Sequence, residues 1–187
     1  MGFNVHDDSS FGNDQFTAVI ATDKESGRKM LLCSIHAIGY GIGDLDSHVK
    51  AAEQIRVIRD VVEKIAHEHD VEGIMMGGDF NSVEESVENA ASPLTKLTEA
   101  KYVPIKVNGD TEIAPSDMFQ TGYKLARKID HFFMKWVGEE GKDFIAAEAD
   151  IESLTSPLKQ YKKVFDHAAI VAKIEVPQKS VSKSQDI

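Results

Sequence analysis

The chain has 187 residues, 42% of them hydrophobic, which suits one domain with a substantial apolar core. Its 21 basic and 31 acidic side chains give a formal net charge of −10, which argues against nucleic-acid binding through a broad basic surface but leaves a localised basic groove open. The single cysteine, Cys33, excludes an internal disulfide framework, and no apolar run approaches membrane-spanning length. We therefore expect a soluble, cytoplasmic protein with no membrane partner.

The first half of the sequence predicts a β-hairpin followed by a βαβ unit. Two β-rich runs, residues 16–22 and 30–36, flank a polar connection typical of a hairpin. A helix is expected after a glycine-rich loop, with Ser47 as its N-cap and its end near His69. The buried strand GIMMGG follows at once, which predicts parallel pairing of the strands on either side of the helix. The apolar positions of this helix are Ala51, Ile55, Ile58, Val62 and Ile65.

The second half predicts fewer regular elements. Residues 83–100 indicate short helices broken at Pro93, and residues 103–122 indicate an irregular loop. Further strands are expected at residues 129–136, 144–149 and 168–176. The polar composition from Pro177 onward is typical of a flexible tail. We therefore expect one domain over residues 1–176 and a tail over residues 177–187.

Residues 75–82 read MMGGDFNS, so an aspartate and an asparagine follow a predicted strand two positions apart. In a regular strand, the side chains of Asp79 and Asn81 would lie on one face. A carboxylate beside an amide suits a phosphate group and its metal ion. Taken alone, Asp and Asn after two glycines are more typical of a turn that ends a strand. A functional site therefore requires residues from elsewhere in the chain.

Reactive side chains also lie at the ends of three other predicted strands. His36 closes one strand, Asp130 opens another, and Asp166 and His167 immediately precede the last. Each alone is more simply explained as a capped turn or a solvated strand end. Together with Asp79 they indicate a common site.

The order and context of His36, GDFNS, KIDHFF and FDHAAI resemble the endonuclease/exonuclease/phosphatase superfamily, from about Phe16 to Val176. GDFN is the most specific of these matches. The resemblance implies an α/β protein with the deoxyribonuclease I-like sandwich of two sheets, of which this chain would supply mainly the C-terminal half. It also implies a magnesium-dependent phosphodiesterase or phosphatase, whose site lies where the two sheets meet.

The resemblance assigns the water-activating and metal-binding roles to four residues. His167 would activate the attacking water, and Asp130 would hold its imidazole tautomer. Asp79 would orient the water or bind metal, and Asp166 would help to hold Mg²⁺, for which Mn²⁺ can substitute. His131, next to Asp130, would point to the opposite face of a regular strand and is left out of the site.

Phosphate recognition is assigned to a second group of residues. The resemblance implies that His36 and Asn81 hydrogen-bond the non-bridging phosphate oxygens. Six cationic side chains flank the motifs and could guide a polyanion into an acidic molecule, although ordinary surface lysines would give the same pattern. They are Lys124, Arg127, Lys128, Lys159, Lys162 and Lys163.

The sequence departs from the family pattern in its N-terminal part. It lacks the Gln-Glu pair whose glutamate is the principal metal ligand in the family, and Asn4 is only a faint counterpart of the first-strand asparagine. Asp7, Asp8 and Asp14 could supply a substitute carboxylate, but a solvated N-terminal segment explains them better. A half-sandwich would also expose an apolar sheet face, so we expect a homodimer or a second chain that completes it.

Two classes of function remain open on the sequence. The first is a metal-dependent phosphodiester hydrolase, with a nuclease acting on DNA or RNA as first choice and hydrolysis of lipid or inositol phosphates as second. The other class is a catalytically impaired binding or structural protein with the same fold. The motif residues favour an enzyme, whereas the missing glutamate favours an impaired protein.

Overall fold

The computed structural model describes residues 3–13, 15–38, 45–82, 92–108, 112–113, 126–127, 129–138, 145–151 and 170–178. Eleven strands and two helices lie in these segments. In chain order they are β1 (Phe3–Asn13), β2 (Phe16–Asp23), β3 (Lys29–His36), α1 (Leu45–Glu68), β4 (Gly73–Asp79), α2 (Thr95–Thr98), β5 (Val103–Ile105), β6 (Val107–Asn108), β7 (Glu112–Ile113), β8 (Ala126–Arg127), β9 (Asp130–Trp136), β10 (Ile145–Ile151) and β11 (Ile170–Glu175). None of the helices in these segments is long and apolar enough to cross a membrane.

The main sheet has six strands in the order β1-β2-β3-β4-β9-β5. β2 and β3 pair antiparallel, which confirms the predicted hairpin. β3 and β4 pair in parallel on either side of α1, which confirms the predicted βαβ unit. β9 runs antiparallel to β4, so the end of β4 lies beside the start of β9.

Helix α1 packs on one face of the main sheet through its predicted apolar positions. All five of those residues are buried. Four of them, all except Ala51, share a core with alternate residues of the sheet such as Ile20, Leu31 and Ile74. The helix begins at Leu45, so the prediction of Ser47 as its N-cap is wrong. Asp46 lies in the first turn, where a negative charge interacts favourably with the helix dipole.

The other face of the main sheet meets a second sheet, in which three strands follow the order β11-β10-β6. Ala172 and Ile174 of β11 pack against Ile105 and Met134 of the main sheet. Met75 and Phe132 are partly buried in the same contact. Two sheets packed face to face, with α1 on the outside, form the expected two-sheet α/β sandwich.

The prediction of an irregular loop over residues 103–122 is wrong at the positions that form short strands. β5 pairs with β9, β6 with β10, and β7 with β8. Pro104 is compatible with β5 because β5 is an edge strand of the main sheet. Of the short helices predicted at residues 83–100, α2 is present, while residues 83–91 lie outside the described residues.

The N-terminal segment forms an edge strand of the main sheet. β1 pairs antiparallel with β2, and its register shifts between Val5 and Ser10, so Asp7 and Asp8 fall within this irregular part. Asn4 lies opposite Thr22, at the end of the sheet away from His36. Asn4 therefore has no place near the predicted site, and Asp14 lies outside the described residues.

Arg28 anchors the chain beyond β11. Its side chain is almost fully buried, and Nε donates a hydrogen bond of 2.6 Å to the carbonyl of Pro177. One terminal nitrogen donates to the carbonyl of Gln178 at 3.0 Å, and the other pairs with Glu72. These bonds satisfy a buried guanidinium. The first two residues of the predicted tail are thus held in place, and the flexible tail stays a prediction for residues 179–187.

Candidate functional site

Three of the predicted site residues lie in one row across neighbouring strands. His36 is opposite Asp79 in the β3–β4 pair, and Asp79 is opposite Asp130 in the β4–β9 pair. Paired positions project to the same side of a sheet. By the same alternation, Phe132 and Met134 share this side, and they contact the second sheet. The row therefore lies at one end of the space between the two sheets.

Exposure changes along this row. The His36 side chain is 74% exposed and that of Asp79 is 17% exposed, with His36 Nε2 lying 4.0 Å from Asp79 Oδ2. Asp130 is buried, at 8% exposure. His36 is thus placed to meet a ligand from solvent. Asp130 is enclosed, which suits a carboxylate that holds another side chain.

Asp79 and Asn81 come together through a turn and not through strand alternation. β4 ends at Asp79, and Asn81 has a left-handed backbone with φ of 48°. Its backbone N–H donates to Asp79 Oδ1 at 2.7 Å, and its Nδ2 donates to Asp79 Oδ2 at 3.2 Å. The prediction of a shared strand face is therefore wrong, because local Asx hydrogen bonding ends the strand. The two side chains are nevertheless adjacent.

His131 supports the site from the opposite face of the sheet. It is buried, and its Nε2 lies 2.8 Å from the carbonyl oxygen of Ser82. Since a carbonyl only accepts, Nε2 carries the proton in this contact. The imidazole also packs edge-on against Phe80, with ring centroids 6.0 Å apart. Sequence reasoning left His131 out, because alternation shows which face it occupies but not what it contacts there.

Several predicted site residues lie outside the described residues. They are Asp166, His167, Lys124 and Lys128, and for Arg127 only the backbone in β8 is described. Their roles stay predictions.

The described carboxylates fit a Mg²⁺ site only in part. Among the described segments, no group of three or more His, Cys, Asp or Glu side chains could hold a metal ion. Asp79 does fit one ligand position, because a carboxylate has about four lone-pair sites and can accept from Asn81 while binding a cation. Mg²⁺ keeps several waters and needs only one or two carboxylates.

Cysteine chemistry does not contribute to this site. Cys33 is buried among the residues that face α1. Burial raises the pKa of its thiol to about 12, so the thiolate needed for a nucleophile is absent near neutral pH.

No protein-family model matches the sequence. A candidate pre-16S rRNA nuclease of Cutibacterium acnes (strain DSM 16379 / KPA171202) is 33% identical over 101 residues, which are 49% of this chain and 62% of that protein. The chain thus matches less than two thirds of this relative.

Solved structures with similar folds cover more of the chain. The human Nocturnin catalytic domain with bound sulfate has a TM-score of 0.57 at 13% identity, over 92% of this chain and 60% of that one. An endonuclease/exonuclease/phosphatase family protein from Bacteroides thetaiotaomicron has a TM-score of 0.56 at 13% identity, over 92% and 63%.

A variant of Staphylococcus aureus beta toxin with bound magnesium ions has a TM-score of 0.52 at 16% identity, over 74% of this chain and 47% of that one. This chain therefore spans about half to two thirds of its structural neighbours. At these identities the likeness concerns the fold. The chain has the deoxyribonuclease I-like two-sheet α/β fold of the endonuclease/exonuclease/phosphatase superfamily.

Proposed function

We propose that this protein is a metal-dependent phosphodiester hydrolase that acts on DNA or RNA. The supporting observation is the row of His36, Asp79 and Asp130 at one end of the intersheet space. An exposed imidazole, a partly exposed carboxylate and a buried carboxylate can respectively bind phosphate, hold a cation or water, and orient a base.

The course of β11 supports a place for His167 in this site. β11 leads into Pro177, whose carbonyl accepts a hydrogen bond from Arg28. Arg28 also forms an ion pair with Glu72, which directly precedes β4. The first residue of β11, Ile170, consequently lies toward the opposite end of the sandwich, where β4 ends at Asp79. His167 precedes Ile170 by three positions in the sequence. Its pairing with Asp130 is therefore compatible with the direction of the strand.

In the proposed reaction, the water oxygen bonds to phosphorus while the bond from phosphorus to the leaving oxygen breaks, and the leaving oxygen takes a proton from solvent. His167 accepts the proton of the water, and Asp130 stabilises the resulting imidazolium. His36 donates a hydrogen bond to a non-bridging oxygen. Asp79 and Asp166 would hold Mg²⁺, for which Mn²⁺ can substitute. The bound ion would supply positive charge to the phosphate.

A nucleic-acid substrate is supported by the name of the Cutibacterium acnes relative and by the cations near the motifs. We propose that Lys124, Arg127 and Lys128 contact the phosphate backbone. The net charge of −10 restricts such contacts to a local groove. Lipid or inositol phosphates are the alternative substrates, and a panel of phosphate esters tested beside a nicking assay distinguishes them.

Hydrolysis is expected to require a divalent metal ion. Excess EDTA should abolish plasmid nicking, and Mg²⁺ or Mn²⁺ should restore it, because the phosphate charge needs a counterion in the transition state. Asp60→Asn, which removes a carboxylate on the exposed face of α1 and away from the row, should nick DNA at the wild-type rate. Full activity in excess EDTA would contradict the metal mechanism. No hydrolysis of any ester with either metal would favour the impaired binding protein.

We also propose that residues 1–176 form one domain, which a second copy or another chain completes. The second sheet has three described strands against six in the main sheet. On the face toward the second sheet, Val19 and Leu32 are half-buried, while Thr17 and Ser34 are exposed. This patch is more polar than the fully apolar face expected from the sequence.

Sedimentation tests this assembly. We expect a dimer at micromolar concentration, because part of the inner face of the main sheet is accessible. Leu32→Glu should weaken such a dimer, and Val57→Glu on the outer side of α1 should not. A well-folded wild-type monomer would show that no second copy is needed. The proposal that another chain completes the domain would then require the pull-down of such a chain.

A further inference from the structure

We propose that residues 179–183 of this chain dock into a cavity at the end of the main sheet opposite the catalytic row. The segment reads KSVSK, and its two lysines would bind carboxylates while its valine covers an apolar surface. For these residues, docking takes the place of the flexible tail that their polar composition predicts. The contacts do not depend on the proposed activity.

The cavity lies between the C-terminal end of α1, the start of β4 and the end of β9, and it has a volume of about 460 Å³. Ala66, Val71, Ile74 and Val137 supply its apolar lining. The first three are buried, whereas Val137 is exposed at the rim. Covering such a surface with another apolar side chain is favourable, because it removes both from water.

The charged groups of the cavity favour a cationic occupant. Glu63 pairs with Lys135 at 2.7 Å, and Glu72 pairs with Arg28. Asp70 also lines the cavity, is exposed, and makes no ion pair with any described residue. The two cations are therefore already engaged, while the charge of Asp70 is not compensated. An ammonium group would be attracted to this cavity, and an anion would be repelled.

The chain beyond β11 arrives beside this cavity. The buried Arg28 donates hydrogen bonds to the carbonyls of Pro177 and Gln178, at 2.6 and 3.0 Å. The same guanidinium pairs with Glu72, whose side chain lines the cavity. Three residues span at most about 10 Å, so Val181 can reach the apolar lining directly from Gln178.

The alternation of the segment matches this surface. Residues 179–184 read KSVSKS, so in an extended chain Lys179, Val181 and Lys183 share one face and the serines lie on the other. Val181 would cover the apolar lining, with Lys179 toward Glu72 and Lys183 toward Asp70. A carboxylate that is already in an ion pair has further lone pairs, so Glu72 can accept from Lys179 as well as from Arg28.

Nuclear Overhauser effects in the methyl-labelled full chain test the docking directly. Cross-peaks are expected between the methyl groups of Val181 and those of Ile74 and Val137. The matched variant combines Lys179→Ser, Ser180→Lys, Ser182→Lys and Lys183→Ser. It keeps composition and net charge but moves both lysines to the face opposite Val181, so the cross-peaks should be lost. Their absence in the wild type, or their full retention in the variant, would overturn the proposal.

Tryptic cleavage after Lys183 measures the contribution of Asp70. Asp70→Asn should speed this cleavage by about two- to fivefold, the loss expected for one exposed ion pair. Asparagine also suits the left-handed backbone of this position, where φ is 51°. Asp60→Asn, on the exposed face of α1, is the matched control and should leave the rate unchanged. Equal rates in wild type and Asp70→Asn would contradict the lysine contact.

A mixture of two differently labelled samples shows which copy supplies the segment. In one sample only the valine methyls are labelled, and in the other only the isoleucine methyls. Docking within one chain predicts no cross-peak between Val181 and Ile74 in the mixture. A cross-peak as strong as in the uniformly labelled chain would show that a second copy fills the cavity, and would overturn docking within the chain.

Discussion

Asp130→Asn and His167→Ala should each lower the rate of phosphodiester hydrolysis by at least about 100-fold, the usual scale for a positioned acid or base. The Asp130 carboxylate is buried at the start of β9, opposite Asp79. Asparagine preserves the shape of this side chain but removes the charge that stabilises an imidazolium. Because Asp130 acts only through His167, the double variant should be little worse than His167→Ala alone.

Single-turnover rates of the two single variants and the double variant, with Mg²⁺ present, measure this coupling. Circular dichroism and thermal unfolding should show that all three variants fold. If the two losses multiply, Asp130 does not act through His167. If the variants differ from wild type only in stability, the pair is a structural hydrogen bond, and the protein fits the impaired class.

The main elements of the fold follow from local sequence patterns. The apolar positions of α1 repeat with the helical period and are all buried, and the runs that became β2, β3 and β4 alternate or are apolar throughout. β5 could not be predicted in the same way. Its pairing with β9 depends on an edge of the main sheet that forms only after folding, and Pro104 at its centre argues locally for a loop.

The candidate site was predictable as a set of strand ends but not as a geometry. Which residues lie opposite each other depends on the register of three strands, and this register places His36, Asp79 and Asp130 in one row. The hydrogen bonds of the turn at Asn81 could not be predicted from the sequence pattern either. Its amide bonds to Ala37, which is 44 positions away in the sequence, and nothing in GDFNS indicates that partner.

A side chain at either of the two glycines before Asp79 would clash with its surroundings, but with different neighbours. A Cβ at Gly77 would overlap the ring of Phe132, whereas a Cβ at Gly78 would overlap the backbone carbonyl of Ile35 in β3. Gly78 also has φ of +133°, a conformation that residues with a side chain rarely adopt. A ring can rotate away, but the backbone of a paired strand cannot move without disturbing the β3–β4 pairing.

Gly78→Ala should therefore lower the free energy of unfolding by about 2 to 6 kcal/mol, the sum of backbone strain and overpacking. Gly77→Ala, its matched control in the same strand, should lower it by about 1 to 3 kcal/mol from overpacking alone. Urea unfolding followed by circular dichroism measures both, with an unchanged m-value expected for each. Equal losses of unfolding free energy in the two variants would show that the backbone of β3 moves aside as readily as the Phe132 ring. A larger loss for Gly78→Ala would instead show that the close approach of β3 and β4, which sets His36 beside Asp79, depends on the absence of a side chain at this position.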